Sequence, residues 1–139
     1  MLTWQSTAVR HLREQWQLGG DHFPCFVGDR FELASGKEIP AESFTAIVIA
    51  GLLVEYDFAP GLVTSITDMV MRLIDDTRLI HFFKQKEKLP ADVDCTAYGY
   101  LLLGWCAKIS AEQVHPILDQ IIANVNEDGV ISTYFIDEG

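Results

Sequence analysis

Two runs of apolar residues constrain the fold of this chain more than any other feature. They cover residues 46–54 and 98–107, and neither holds a charged side chain. Each is shorter than the roughly 20 apolar residues that a membrane-spanning helix needs. An apolar helix has no face that favours water, so other parts of the protein must cover it. We therefore predict two buried helices, at about 42–56 and 92–108, with four enclosed side chains: Ile47, Leu52, Leu101 and Leu102.

Three other segments have the periodicity of amphipathic helices. They lie at residues 7–17, from Pro60 as far as Phe83, and after Ser110, with apolar residues three and four positions apart. Ser110 and Gln113 form a capping box, which marks the start of a helix. Amphipathic and apolar helices alternate along the chain, and this order predicts an all-α fold of about five helices. Residues 130–135 are expected to form a short extended segment.

The segments that precede the two apolar helices resemble each other. Residues 37–46 match residues 87–97 with one residue inserted, and Pro40 and Pro90 lie 50 positions apart. Each copy leads into an apolar helix, a turn and an amphipathic helix. Units of this length are typical of folds that stack repeats on a shared core. The pattern predicts a single domain over residues 1–139, part of an α/α barrel of helical hairpins.

Charge and cysteine content narrow the functional classes. The net charge of −10, from 20 acidic and 10 basic residues, disfavours nucleic acid and anionic membranes as partners. Three cysteines without paired spacing favour a reducing, cytoplasmic setting, and the start of the chain lacks the pattern of a signal peptide. Asp21, His22 and Cys25 carry donor atoms, but their spacing matches no closed zinc site. We expect no metal, no cofactor and no transmembrane segment.

An acidic cluster, Asp92 and Asp94, stands directly before the second apolar run. A carboxylate at this place can cap a helix by accepting hydrogen bonds from the N–H groups of its first turn. A carboxyl can also hold a proton at the mouth of an apolar cavity, because desolvation and a like-charged neighbour both raise its pKa. The residues alone leave both interpretations open.

The run Asp92-Val93-Asp94-Cys95-Thr96-Ala97 resembles the acid motif of class II terpene cyclases. Squalene–hopene cyclases carry Asp-x-Asp-Asp-Thr-Ala, and oxidosqualene cyclases carry Asp-Cys-Thr-Ala-Glu, with Tyr98 here in place of the glutamate. The resemblance implies an α/α toroid, a fold shared with protein prenyltransferases. It also implies that Asp94 is the general acid that protonates an alkene or epoxide, assisted by Asp92 and Cys95.

On this interpretation the chain cyclises or binds an isoprenoid. Three aromatic residues near the motif, Tyr98, Tyr100 and Trp105, are then candidates for binding the substrate and stabilising carbocations. The alternative is a non-catalytic helical-repeat module that binds a protein partner or an apolar ligand. Because about two and a half hairpins do not close a toroid, we expect either a fragment of a longer protein or a homo-oligomer that covers the open flank.

Overall fold

The computed structural model describes residues 3–27, 37–38, 40–74 and 76–135. Within these ranges, two short strands pair antiparallel and a 3₁₀ turn covers Lys86–Lys88. No helix in the described part of the chain is long and apolar enough to cross a membrane. The predicted all-α class is confirmed. The elements are α1 (Trp4–Leu18), β1 (Phe26–Val27), β2 (Lys37–Glu38), α2 (Phe44–Glu55), α3 (Pro60–Leu73), α4 (Val93–Trp105) and α5 (Ala111–Ala123).

The helix ends follow the local chemistry. The capping box predicted before α5 is confirmed, since Ser110 N–H donates to the side chain of Gln113 at 2.9 Å. Helix α3 ends at Leu73, ten residues before the furthest predicted end. Beyond it the chain turns at residues 76–78, where Arg78 has a φ of 67° that a helix does not allow, and Leu79 and Ile80 after the turn are buried.

The internal repeat is confirmed in the backbone hydrogen bonds. The three residues after α2 and the three after α4 form the same pattern of backbone N–H to carbonyl hydrogen bonds. Donors and acceptors of one set lie 50 positions from those of the other. At both ends one residue, Asp57 or Ala107, has a φ of 53°. The equivalent donor–acceptor pairs are Tyr56–Leu52 with Cys106–Leu102, Asp57–Val54 with Ala107–Gly104, and Phe58–Leu53 with Lys108–Leu103.

Each repeat returns to the head of its own apolar helix. We call residues 41–84 the first unit and residues 91–135 the second unit. In the first unit Ser43 N–H donates to Phe82 O at 2.8 Å, and in the second unit Val93 N–H donates to Thr133 O at 2.9 Å. The offset between these acceptors is 51, so the inserted residue lies after the apolar helix. The alignment that placed it before the helix was wrong.

The predicted enclosure of the two apolar helices is correct for only half of the named side chains. Ile47 and Leu102 are each 1% exposed, whereas Leu52 is 52% and Leu101 is 44% exposed. Helix α4 packs between α2 and α5, and Leu101 lies on the flank that faces an open groove. An apolar sequence on every face therefore did not require burial on every face.

Candidate active site at the head of helix α4

A cavity of about 220 Å³ opens at the head of α4. Four pieces of chain form its wall: the head of α4, the start of α2, and the returning segment of each unit. The backbone hydrogen bonds that tie these pieces together recur in both units, so the fold itself fixes the position of the cavity. Its lining residues are Phe44, Phe82, Asp92, Asp94, Thr133 and Tyr134.

Asp92 is the buried acid of this cavity. Its side chain is 4% exposed, and its Oδ1 accepts a hydrogen bond from Cys95 N–H at 2.8 Å. Its Oδ2 is buried and has no hydrogen-bond partner among the described residues. Burial raises the pKa of Asp92 against the hydrogen bonds from Cys95, and the charge of Asp94 raises it further. Ionisation of this carboxyl is therefore less favourable than that of an aspartate in water.

Asp94 lies on the same wall but is exposed. It occupies the first turn of α4, where the N–H groups and the helix dipole favour a negative charge. The helix is capped by Asp92, not by Asp94. The two carboxyls thus differ in environment: one is buried at the cap, and the other is open to solvent.

Cys95 lies behind the acid pair. Its side chain is fully buried, and its Sγ lies 3.8 Å from Ser43 Oγ at the head of α2. Burial raises the pKa of the Cys95 thiol, and the charge and hydrogen bond of Asp92 act in the same direction. Because the thiol stays protonated, it places a neutral group beside Asp92.

Glu42 occupies in the first unit the position that Asp92 occupies in the second. It is 2% exposed, its Oε2 accepts Thr45 N–H at 2.9 Å, and its Oε1 accepts the Cys25 thiol at 3.2 Å. Both of its oxygens therefore have partners, whereas one oxygen of Asp92 has none among the described residues. The equivalent carboxyl is thus fully hydrogen-bonded in the first unit, whereas in the second unit it lines a cavity and keeps one oxygen without a partner among the described residues.

The loop residues Asp21, His22 and Cys25 carry donor atoms, but they are not grouped as metal ligands. The Asp21 carboxylate forms an exposed ion pair with Arg72 at 3.4 Å, and the Cys25 thiol is bonded to Glu42. Within the described ranges no three His, Cys, Asp or Glu side chains are grouped to hold a metal ion.

The three aromatic residues named from the sequence lie in two places. Tyr98 is half-exposed and packs edge-on against Phe44, with ring centroids 5.8 Å apart, so it supports the cavity wall. Tyr100 is buried, and its hydroxyl donates to Arg78 O at 2.8 Å. Tyr100 and Trp105 line a separate groove between α4 and α5, away from the acid pair.

The aromatic residues that do line the acid cavity are Phe44, Phe82 and Tyr134. The sequence did not indicate them, because all three lie outside the acid motif. Only the repeat relates their positions to it. The signal that was available is the repeat itself. Once the returning segment of each unit is paired with the head of an apolar helix, residues near 82 and 134 must lie beside Asp92.

Residues 36–138, about three quarters of the chain, match the family model of the sesquiterpene cyclase astC-like C-terminal domain. The matched region contains both units and the whole lining of the acid cavity. No curated protein and no solved structure matches the chain. The chain belongs to the sesquiterpene cyclase astC-like C-terminal domain family.

Proposed function

We propose that this member of a sesquiterpene cyclase domain family takes part in the protonation-initiated cyclisation of an isoprenoid. The cavity at the head of α4 is the place of protonation. The observation that carries the proposal is the state of Asp92: helix α4 fixes one oxygen, and the other is buried on the cavity wall without a partner in the described part of the chain. Asp92 belongs to the lining of the cavity, so its unpartnered oxygen is our candidate for the atom that carries the proton.

The step balances on the residues of the cavity. The π electrons of an alkene form a new C–H bond with the proton on Asp92 Oδ2. The O–H bond breaks and leaves a carboxylate and a carbocation, which the next alkene of the substrate attacks. A final deprotonation releases the product and returns one proton. General acids of this kind need a pKa near the working pH, and burial moves the pKa of Asp92 in that direction.

Asp94 and Cys95 have supporting roles in this proposal. The exposed carboxylate of Asp94 raises the pKa of Asp92, and its contact with water lets it pass the next proton to the buried acid. Cys95 holds Asp92 Oδ1 through its N–H, and its thiol adds no charge. The motif resemblance assigns proton delivery to Asp94 itself, so the two aspartates must be tested separately.

The rest of the wall suits a carbocation. Phe44, Phe82 and Tyr134 present aromatic rings to the cavity, and aromatic faces attract cations. The volume of about 220 Å³ is below the roughly 300–1,000 Å³ of pockets that enclose drug-sized ligands. We therefore propose that the cavity takes the reacting end of the isoprenoid, while the remainder of the substrate extends beyond it.

The experiment is product analysis in deuterated water. Linear prenyl diphosphates and prenyl alcohols of increasing length are incubated with the full chain, and the products are analysed by mass spectrometry. We expect a cyclic product that carries one deuterium from the solvent. Asp92→Asn should abolish it, because an amide cannot deliver the proton. Asp119→Asn, which neutralises an exposed carboxyl on α5, is the control and should retain it.

The results of these assays distinguish Asp92 from Asp94 as the acid, and an enzyme from a non-catalytic module. Loss of product in Asp94→Asn with retention in Asp92→Asn would move the acid to Asp94 and leave Asp92 as a helix cap. A cyclic product without solvent deuterium would overturn proton initiation. Ligand binding without turnover would favour the non-catalytic module instead.

A further inference from the structure

The segment that returns from α5 to the head of α4 forms part of the wall of the acid cavity. We call residues 131–135 the strap, of which Thr133 and Tyr134 line the cavity. The strap pairs with residues 91–93 as an antiparallel strand does, with Tyr134 opposite Asp92. One backbone hydrogen bond of 2.9 Å lies on each side of that pair. The strap therefore lies directly across the buried acid.

The equivalent segment of the first unit, residues 80–84, is held by backbone partners on two sides. It binds the head of α2, where Ser43 N–H donates to Phe82 O at 2.8 Å. It also binds the head of α4, where Asp92 N–H donates to Ile80 O at 3.2 Å. Ile80 is fully buried as well. Backbone hydrogen bonds and burial together fix this segment.

In the strap, a side chain provides the bonds on the second side. Asn124 is the C-cap residue of α5, and its Nδ2 donates to Ser132 O at 2.9 Å and to Tyr134 O at 3.2 Å. Both acceptors are carbonyl oxygens, so the amide nitrogen with its two hydrogens must face them. The C-cap residue of α3 is Ile74, whose side chain has no donor. The side-chain latch is therefore a feature of the second unit.

Burial holds the strap less firmly than it holds the equivalent segment. Ile131 is 48% exposed and Tyr134 is 36% exposed, whereas Ile80, the equivalent of Ile131, is fully buried. Burial of apolar surface is the dominant favourable contribution to folding. Because the strap has less of it, the two hydrogen bonds from Asn124 contribute a larger share of what keeps the strap in place.

We propose that Asn124 is a positioning residue of the acid cavity, which holds the strap closed over Asp92 and so keeps water from the site of proton transfer. With the strap in place Asp92 is 4% exposed and its Oδ2 is buried. A lifted strap admits water to the cavity. The oxygen of that water can form a C–O bond with the carbocation and lose a proton, which gives an alcohol instead of an alkene. This chemical consequence rests on the proposed cyclisation, whereas closure of the strap does not.

The test is amide hydrogen exchange measured by NMR on the full chain. Val93 N–H, which is bonded to the strap, is the reporter, and Ser43 N–H, which forms the equivalent bond in the first unit, is the reference. Asn124→Asp keeps the size of the side chain but has no N–H, and Asn124→Ala removes the side chain. In both variants the amide of Val93 should exchange roughly 5- to 150-fold faster, the range for the loss of two hydrogen bonds. The amide of Ser43 should not change.

Asn126→Ala is the matched control. Asn126 Oδ1 accepts two backbone N–H groups of the neighbouring turn, at 3.0 and 2.9 Å, so this variant also loses two hydrogen bonds of an asparagine side chain. Neither bond reaches the strap, and we expect the exchange of Val93 to stay as in the wild type. Far-UV circular dichroism checks that each variant is folded.

The product assay in deuterated water adds a chemical readout. Where the wild type forms a cyclic alkene, Asn124→Asp should increase the ratio of cyclic alcohol to alkene, a change that a loss of stability alone does not produce. Unchanged exchange of Val93 in both Asn124 variants would overturn the inference, even for an active cyclase. Equal acceleration in Asn126→Ala would overturn it too, as would faster exchange with an unchanged alcohol ratio. A wild type without cyclic product would refute the proposed function, and the exchange experiment would then decide the closure of the strap by itself.

Discussion

Leu52 and Leu102 occupy the same position in the two units but differ in burial. Leu102 is 1% exposed and Leu52 is 52% exposed. Leu102→Ala removes buried methyl groups and leaves a cavity, which costs about 2–5 kcal/mol of unfolding free energy. In Leu52→Ala half of the side chain is already in water, so the lost transfer free energy is about 1 kcal/mol. The higher helix propensity of alanine is common to both variants.

Urea unfolding followed by far-UV circular dichroism measures both losses, at a protein concentration where the chain is monomeric. We expect Leu102→Ala to lose about 1–4 kcal/mol more than Leu52→Ala. In thermal unfolding this difference corresponds to about 3–14 °C. Because the substitution and the helix position are the same, equal losses in the two variants would refute the burial pattern described for α2 and α4.

Three further predictions concern glycine packing and the buried acid. A Cβ on Gly99 would lie 2.5 Å from Ile80 Cδ1, so Gly99→Ala should destabilise the fold by about 1–3 kcal/mol in urea unfolding; a more stable variant would contradict the tight contact. At Gly51 the nearest atom beyond the helix is 3.6 Å away, on Trp105, so Gly51→Ala should stabilise by up to about 1 kcal/mol in the same assay, and a loss would show that α2 and α4 are closer than described. The raised pKa of Asp92 favours the folded state at low pH, and this contribution is lost as the pH rises from the unfolded to the folded pKa. Asp92→Asn keeps the cap without the buried charge, so its stability relative to wild type should increase between pH 3 and pH 7; a constant difference would contradict the pKa shift.

The helix order and the repeat could be predicted from the sequence because they depend on local periodicity. The capping box before α5 is a local signal of the same kind. The flank on which each apolar helix is exposed could not be predicted. Leu52 and Leu101 have apolar neighbours along the chain, as Leu102 has, and only the packing of α2 and α4 against the rest of the protein distinguishes them. The hydrophobic pattern shows that a helix can be buried, but it does not show which of its faces the neighbouring helices cover.

The acid site was predictable in its motif and not in its geometry. The sequence pointed to Asp92, Asp94 and Cys95, and the structure brings all three to the head of α4. It did not show which carboxyl is buried, because that depends on the cap that Asp92 forms and on the returning segment that lies across it. Glu42 has hydrogen bonds to both carboxylate oxygens, whereas Asp92 has a partner for only one among the described residues. This difference is visible only once the two units are aligned in the correct register.

The most direct test of this account is the titration of the Asp92 carboxyl by ¹³C NMR, with Asp92→Asn used to assign its signal. We expect a pKa above the ordinary value of 3.8, because burial and the charge of Asp94 both oppose ionisation. A pKa at or below that value would mean that Asp92 is an ionised helix cap. The cavity at the head of α4 would then lack the buried proton on which the proposed cyclisation depends.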